Sequence, residues 1–498
     1  MKKVLAITLA LVLAVVPLIS AGAAGTAVQK CPVIEIPGFM SKTVYAEAGN
    51  SDSPSVWPPA GDAIAKTALK AVPDIALLAV DRNWDSFAQN VCPKAAELLG
   101  PACCDVNGEV TNGTGICFEY PEKDEIKADG KYEFTYDWRM DPLAIADELN
   151  DFVDYILECS GASKADFVCH SLGGVIMLSY LSVYGDSKVD GVCFYLTAIY
   201  GESYNGELMS GKLSLVADSV TEYMRGTFDS TACPYLLASI FDILNQTGIL
   251  GAVCKFGNYA VEQVLDVVAH EVILPLFAQW LTIWAMVPDE YIDTAMDYVF
   301  NNIYANDGID HSRLLEKVEN YNNIVRVHRE ETLRKLNEHA KVVVISAYGY
   351  SIIPIVPEWE KLSDNNVDTK NSSFGATTAA YGEKLSNEYL AGADMKYVNP
   401  DRTVDASTCL FPEQTWFIKN NKHTDWGHEV DEMIETLLFS EEQPTVDTYK
   451  EYPRFLERSS EDGSIAPDTE AEAPVTFLQK IVLIFKEIIN LFKSLFSK

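Results

Sequence analysis

Short β-rich runs alternate along the chain with stretches whose apolar residues recur every three or four positions. Val33-Ile34-Glu35-Ile36 is the first such run and ends at Pro37-Gly38. Residues 59 to 100 carry a helical pattern, and a polar, Gly-rich stretch from 101 to 130 reads as loop. Tyr132 to Tyr136 predicts a strand. Asp141-Pro142 opens an amphipathic helix through Ile145, Leu149, Phe152, Val153 and Ile156. Asp166 to Cys169 predicts the next strand, Gly174 to Leu181 a helix, and Val192 to Leu196 another strand. Strand, helix and strand in alternation predict an α/β protein with a mostly parallel central sheet and flanking helices.

From 201 to 335 the pattern changes to helix after helix, rich in Leu, Ile, Phe and Trp. Val272 to Pro288 holds 17 residues without a charge, short for a membrane span and interrupted by Pro275 and Gln279. This stretch is expected to be a large α-helical insertion. It is either a buried helical domain or a cap whose apolar inner wall meets an apolar substrate. Lys341 to Ser346 returns to the sheet, Glu413 to Ile418 predicts the last strand, and Glu429 to Leu438 the last core helix. Residues 441–474, rich in Glu, Asp, Ser and Pro, read as a solvated acidic linker. The expected organisation is a core in two parts, 31–200 and 336–440, a cap at 201–335, the linker, and a C-terminal amphipathic helix at 475–498.

That last helix carries Phe477, Ile481, Ile484, Ile488, Leu491 and Leu495 on one stripe. Lys480, Lys486, Lys493 and Lys498 outnumber Glu487, so the segment is cationic in an acidic protein. It reads as an interfacial helix that meets a membrane or cell surface, with docking on its own domain or on a partner as the alternative.

Over 498 residues, 72 acidic side chains face 38 basic ones, for a formal charge of −34. Such a surface repels phosphate backbones and argues against nucleic acid as a partner. At the other end, Lys2 and Lys3, the apolar run Val4 to Ile19 and the small residues Ala21-Gly22-Ala23 form a signal-peptide pattern over 1–23. The expected location is therefore secreted or extracytoplasmic. The 11 cysteines then permit disulfides, and no Cys-x-x-Cys pair with matching histidines suggests a metal.

Chemistry concentrates at Phe167-Val168-Cys169-His170-Ser171-Leu172-Gly173-Gly174, a strand, a tight turn and a helix. An α/β-hydrolase carries its nucleophilic serine on such an elbow, with the following helix N-terminus aimed at the developing oxyanion. Cys169 stands where the first glycine of Gly-x-Ser-x-Gly usually is. Ser171 is the candidate nucleophile. The turn after Ile36 is the candidate second half of the oxyanion hole, which assigns the N–H groups of Phe39 and Leu172, with Met40 as the alternative to Phe39. Of 7 histidines, His423 follows the last predicted strand and is the candidate base, with His428 its rival. The candidate acid is Asp401, 22 residues before His423, with Asp405 and Asp394 as alternatives.

These motifs resemble the lecithin:cholesterol acyltransferase-like family of α/β-hydrolase lipases. The likeness rests on Pro32 to Met40, on Tyr136-Asp137-Trp138-Arg139, on Cys169 to Gly174 and on Ser346-Ala347-Tyr348-Gly349. Pro400-Asp401-Arg402-Thr403-Val404 is similar to the family's Gly-Asp-Gly-Thr-Val, with both glycines replaced. The resemblance implies a serine lipase, phospholipase or lipid O-acyltransferase. It would act through a Ser-Asp-His triad and an acyl-enzyme, with no metal or organic cofactor. The rival readings are a carboxylesterase on small soluble esters and a noncatalytic surface binding protein on a hydrolase fold.

Overall fold

A computed structural model describes residues 31–228, 233–268, 274, 276–460, 462–469 and 477–496. The expected signal peptide, 1–23, lies outside the described residues. The centre is an eight-stranded sheet. Its strands are β1 (Val33–Ile36), β2 (Lys131–Glu133), β3 (Ala165–His170), β4 (Val189–Tyr195), β5 (Lys341–Tyr348), β6 (Thr415–Lys419), β7 (Phe455–Arg458) and β8 (Ile465–Pro467). Their spatial order is β8-β7-β6-β5-β4-β3-β1-β2. Every pairing is parallel except β7 with β8.

Period-two alternation sends the two faces of these strands to two cores. Ile34, Ile36, Phe167, Cys169, Val192, Phe194, Val342 and Val344 enter one apolar cluster. Val33, Val168, Cys193, Tyr195, Val343 and Ile345 enter the other. The main helices are α1 (Gly61–Asp81), α2 (Trp84–Leu99), α3 (Pro142–Ser160), α4 (Leu172–Tyr184), α5 (Pro234–Gln246), α6 (Ile249–Val268), α7 (Arg329–His339), α8 (His428–Leu438) and α9 (Phe477–Phe496), with further helices between α4 and α8. Helices α3, α4 and α7 cover the first face, and α8 covers the second. Helix α3 starts where the sequence predicts. The Asp141 carboxylate accepts from Leu143 N at 3.0 Å, Pro142 takes the first helical position, and Gly161 closes the helix at φ 73°.

Three expectations change. The acidic stretch 441–474 is not only a linker, because Phe455–Arg458 and Ile465–Pro467 extend the sheet beyond β6. Leu456 is fully buried there. Two or three apolar residues suffice for an edge strand, and the charged residues around them mask the signal. The helical insertion is also not one cap. Trp280, Leu281 and Trp284 are buried in the main core, where Leu281 N donates to Arg139 O at 3.1 Å and Trp280 Nε1 to Ala102 O at 3.0 Å. Finally, the helical stretch 59–100, assigned to the core, is a pair, α1 and α2, that joins the outer helices instead. The Trp84 ring of α2 meets Phe256 of α6 at a tilt, at 6.4 Å, and Tyr259 of α6 edge-on, at 5.7 Å.

Helix α9 lies on α5. Both oxygens of the buried Glu487 accept main-chain N–H groups of the first turn of α5, Tyr235 at 3.0 Å and Leu236 at 2.7 Å. A carboxylate at a helix N-terminus meets unsatisfied donors and the positive end of the helix dipole.

Candidate active site

Ser171 follows β3 directly and precedes α4. Its backbone has φ 54° and ψ −121°, a conformation that costs a side-chain-bearing residue on the order of 1–3 kcal/mol. The surrounding glycines make the elbow possible. A Cβ on Gly173 would collide with the carbonyl oxygen of Ile36, and one on Gly38 would sit 2.8 Å from Ser171 Cβ. Cys169 departs from the usual glycine without harm because it is still strand. It pairs with Ile36 and Phe194, and its side chain is fully buried in the core. Burial holds its thiol well above the ordinary range, so it is an inert apolar filler.

The Tyr-Asp-Trp-Arg segment braces the turn after β1. Tyr136 Oη donates to Pro37 O at 2.5 Å, and Trp138 Nε1 to Lys42 O at 2.9 Å. The Phe39 ring meets the Trp138 ring edge-on at 4.7 Å. Arg139, fully buried, grips Asp137 with two parallel bonds, Nε to Oδ1 at 3.0 Å and Nη2 to Oδ2 at 2.7 Å. Its remaining donor reaches Ala102 O at 3.2 Å and Thr114 Oγ1 at 3.1 Å. The turn that carries Phe39 and Met40 is thus pinned on both sides of the elbow-facing stretch. Leu172, the first residue of α4, is fully buried, and its N–H lies in the helical turn that has no intrahelical acceptor.

His423 lies in the loop after β6. Its Nδ1 stands 2.8 Å from Asp364 Oδ2, and its own N–H donates to Asp364 O at 2.8 Å. Asp364 is fully buried, and its other oxygen accepts from Asn366 N at 3.0 Å and Val367 N at 2.7 Å. Those two bonds fix the carboxylate so that Oδ2 is left for the imidazole. Burial alone would lower the His423 pKa. The charge and hydrogen bond of Asp364, with Glu202, outweigh it and leave the imidazole above its ordinary value. The loop itself is anchored by Asn421, whose Nδ2 donates to Tyr195 Oη at 3.0 Å and whose Oδ1 accepts from Arg458 Nη1 of β7 at 3.2 Å.

The acid beside His423 is therefore Asp364 and not Asp401. Asp401 is committed elsewhere, 2.7 Å from the buried Lys419 Nζ. The alternatives are structural as well. Asp405 accepts from Tyr389 Oη at 2.9 Å and Ser407 N at 2.8 Å, and Asp394 caps Lys396 N at 3.2 Å. A usable signal was present at 364. Ser363-Asp364-Asn365-Asn366-Val367 shares the Asp-x-x-Val spacing of 401–404 and lies after β5. His428, the rival base, is exposed at the start of α8. His170 packs inside the elbow as expected. Its Nε2 lies 3.0 Å from His423 O, and since a carbonyl only accepts, Nε2 carries the proton. Burial and the neighbouring His423 push His170 down to about 3, so it stays neutral near neutral pH.

One cavity of about 680 Å³ brings the site together. Ser171 and His423 line it, with Phe39, Met40, Glu202, Asn366 and a wall of Leu208, Phe277, Ile283, Met286, Ile353 and Ile355. That is the size range of sites for small organic ligands, with few polar groups on an apolar wall. Compared with models of known families and with curated proteins, the chain finds no match.

Proposed function

We propose that the chain is a serine hydrolase or acyltransferase of the α/β-hydrolase type acting on lipid acyl esters. The observation that carries the reading is Ser171, on a strained elbow, in one cavity with a His423–Asp364 pair. The chain order Ser171, Asp364, His423 is the order of that enzyme class. In this reading His423 Nε2 takes the Ser171 hydroxyl proton as Oγ attacks the acyl carbonyl. Asp364 holds the Nδ1–H tautomer and stabilises the imidazolium. The N–H groups of Phe39 and Leu172 receive the tetrahedral oxyanion. As the intermediate collapses, His423 returns the proton to the departing alcohol, leaving acyl-Ser171. Water or a second alcohol, deprotonated by His423, then takes the acyl group and regenerates the serine.

Lipid is favoured over small esters by the apolar cavity wall and by the outer helices, where Leu69, Val80 and Phe256 are more than half exposed. The motifs that resemble the lecithin:cholesterol acyltransferase-like lipases support the same class. An exported location, with α9 meeting a lipid surface, belongs to this proposal. The test is hydrolysis of a chromogenic ester series from short to long acyl chains, with Ser171→Ala as control. Turnover that rises with chain length and is lost in Ser171→Ala is expected. A variant that keeps a large share of wild-type turnover would overturn the assignment.

A further inference from the structure

Glu202 lies on the wall of the same cavity and takes no part in the steps above. It is 2% exposed and lines the cavity with Ser171 and His423. Its N–H donates to Met286 O at 2.9 Å, at the end of the buried helix Leu281–Ala285. Its carboxyl meets two neutral partners. Asn366 Nδ2 donates to Oε1 at 3.2 Å, and the Tyr204 hydroxyl hydrogen-bonds to it. Asn366 also donates its main-chain N–H to Asp364, so a single residue links both acids.

The titratable groups that act on Glu202 come from three elements. They are Tyr204 from the helix Ser203–Met209, His423 from the loop after β6, and Asp364 and Asp368 from the loop after β5. Of these only His423 forms a cation. Resting on the triad reading, we infer that Glu202 is a positioning residue for catalysis, a second acid that shares the charge of the His423 imidazolium and sets the pH range in which His423 works as a base.

Each group shifts the titration of the other. Burial first, then Asp364 and Asp368, push Glu202 up to about 7, against the opposing Tyr204 bond and His423. Glu202 is in turn one of the charges that hold His423 up. The signs follow. At low pH Glu202 is neutral and gives His423 no help. As pH rises Glu202 ionises, and its anion makes His423 keep its proton longer. The acid limb of activity is thereby drawn upward, and the pair titrates in coupled steps.

The experiment uses the full-length chain and a soluble short-chain ester, with kcat/KM followed against pH for wild type, Glu202→Gln and Glu202→Asp. Gln keeps the shape and removes the charge. Its acid limb should move down by on the order of one pH unit, while Asp returns it toward wild type. The readout is the midpoint, which a merely structural role would not move. Superimposed profiles, or an upward shift, would overturn the inference. Independently of turnover, histidine-selective NMR of the Ser171→Ala protein should show His423 titrating in two steps, with one step alone contradicting coupling to Glu202. If wild type shows no Ser171-dependent hydrolysis, the hydrolase reading fails while the NMR titration still decides whether Glu202 and His423 are coupled.

Discussion

Two aspartates begin similar loops, Asp364-Asn365 and Asp401-Arg402, and in both the second residue is left-handed, at φ 79° and 61°. Asn adopts that conformation more readily than Arg. What separates the two acids is the neighbour each meets in space, His423 for one and Lys419 for the other. Asp364→Asn should therefore lower kcat by about 10³- to 10⁴-fold through the wrong imidazole tautomer. Asp401→Asn should keep turnover and cost about 1–3 kcal/mol of stability by leaving Lys419 short of a partner, with Glu457 still within 3.8 Å. Steady-state kinetics and denaturant melts on the two variants check both outcomes. Large loss in Asp401→Asn with little in Asp364→Asn would reverse them. The pH profile adds a sign. In the proposed reaction the base works unprotonated, and His423 sits above the ordinary histidine value. So kcat/KM should rise through a midpoint above roughly 6.5. Removing the Asp364 charge should bring that midpoint down.

At the scale of elements, the strands and helices around the elbow follow from periodicity and caps, and Ser171, Leu172 and His423 fall where strand ends put them. Residues whose role depends on distant partners are less readable. Asp364 is 59 residues from His423, and the Asp-x-x-Val spacing it shares with 401–404 does not choose between the two loops until the fold brings one of them to the histidine. Strand β7 hides for a related reason. Its four residues, Phe455–Arg458, carry little pattern, yet Arg458 supports the histidine loop through Asn421. Helix α9 is legible as an amphipathic helix, but its surroundings are not. Ile481, Ile484 and Ile488 are half-buried, while Val482, Phe485 and Ile489 are exposed. Glu487→Ala should free it from α5. A loss of about 1–3 kcal/mol would speed amide exchange across 477–496 by roughly 5- to 150-fold while soluble-ester turnover holds. Unchanged exchange would mean that Glu487 does not hold the helix.

Over the whole molecule, the parallel sheet is the feature most directly written in the sequence, because buried parallel strands read as continuous apolar runs. The division into core and cap is not. Helical periodicity shows that 59–100 and 201–335 bear apolar stripes, and it cannot say what each stripe faces. In α1 no residue is buried, and Leu69 and Val80 are exposed. Trp280 and Trp284, from the same class of pattern, fill the core. Among the described residues no single helix is long and apolar enough to cross a membrane. In the proposed function the fold delivers one activated serine, Ser171, to His423 and Asp364. Intact-mass and peptide mapping after treatment with a fluorophosphonate, which phosphonylates an activated serine hydroxyl with loss of fluoride, tests it most directly. A single adduct on Ser171, absent in Ser171→Ala and strongly slowed in His423→Ala, is the predicted result. No adduct, or one at another residue at the same rate in Ser171→Ala, would contradict it.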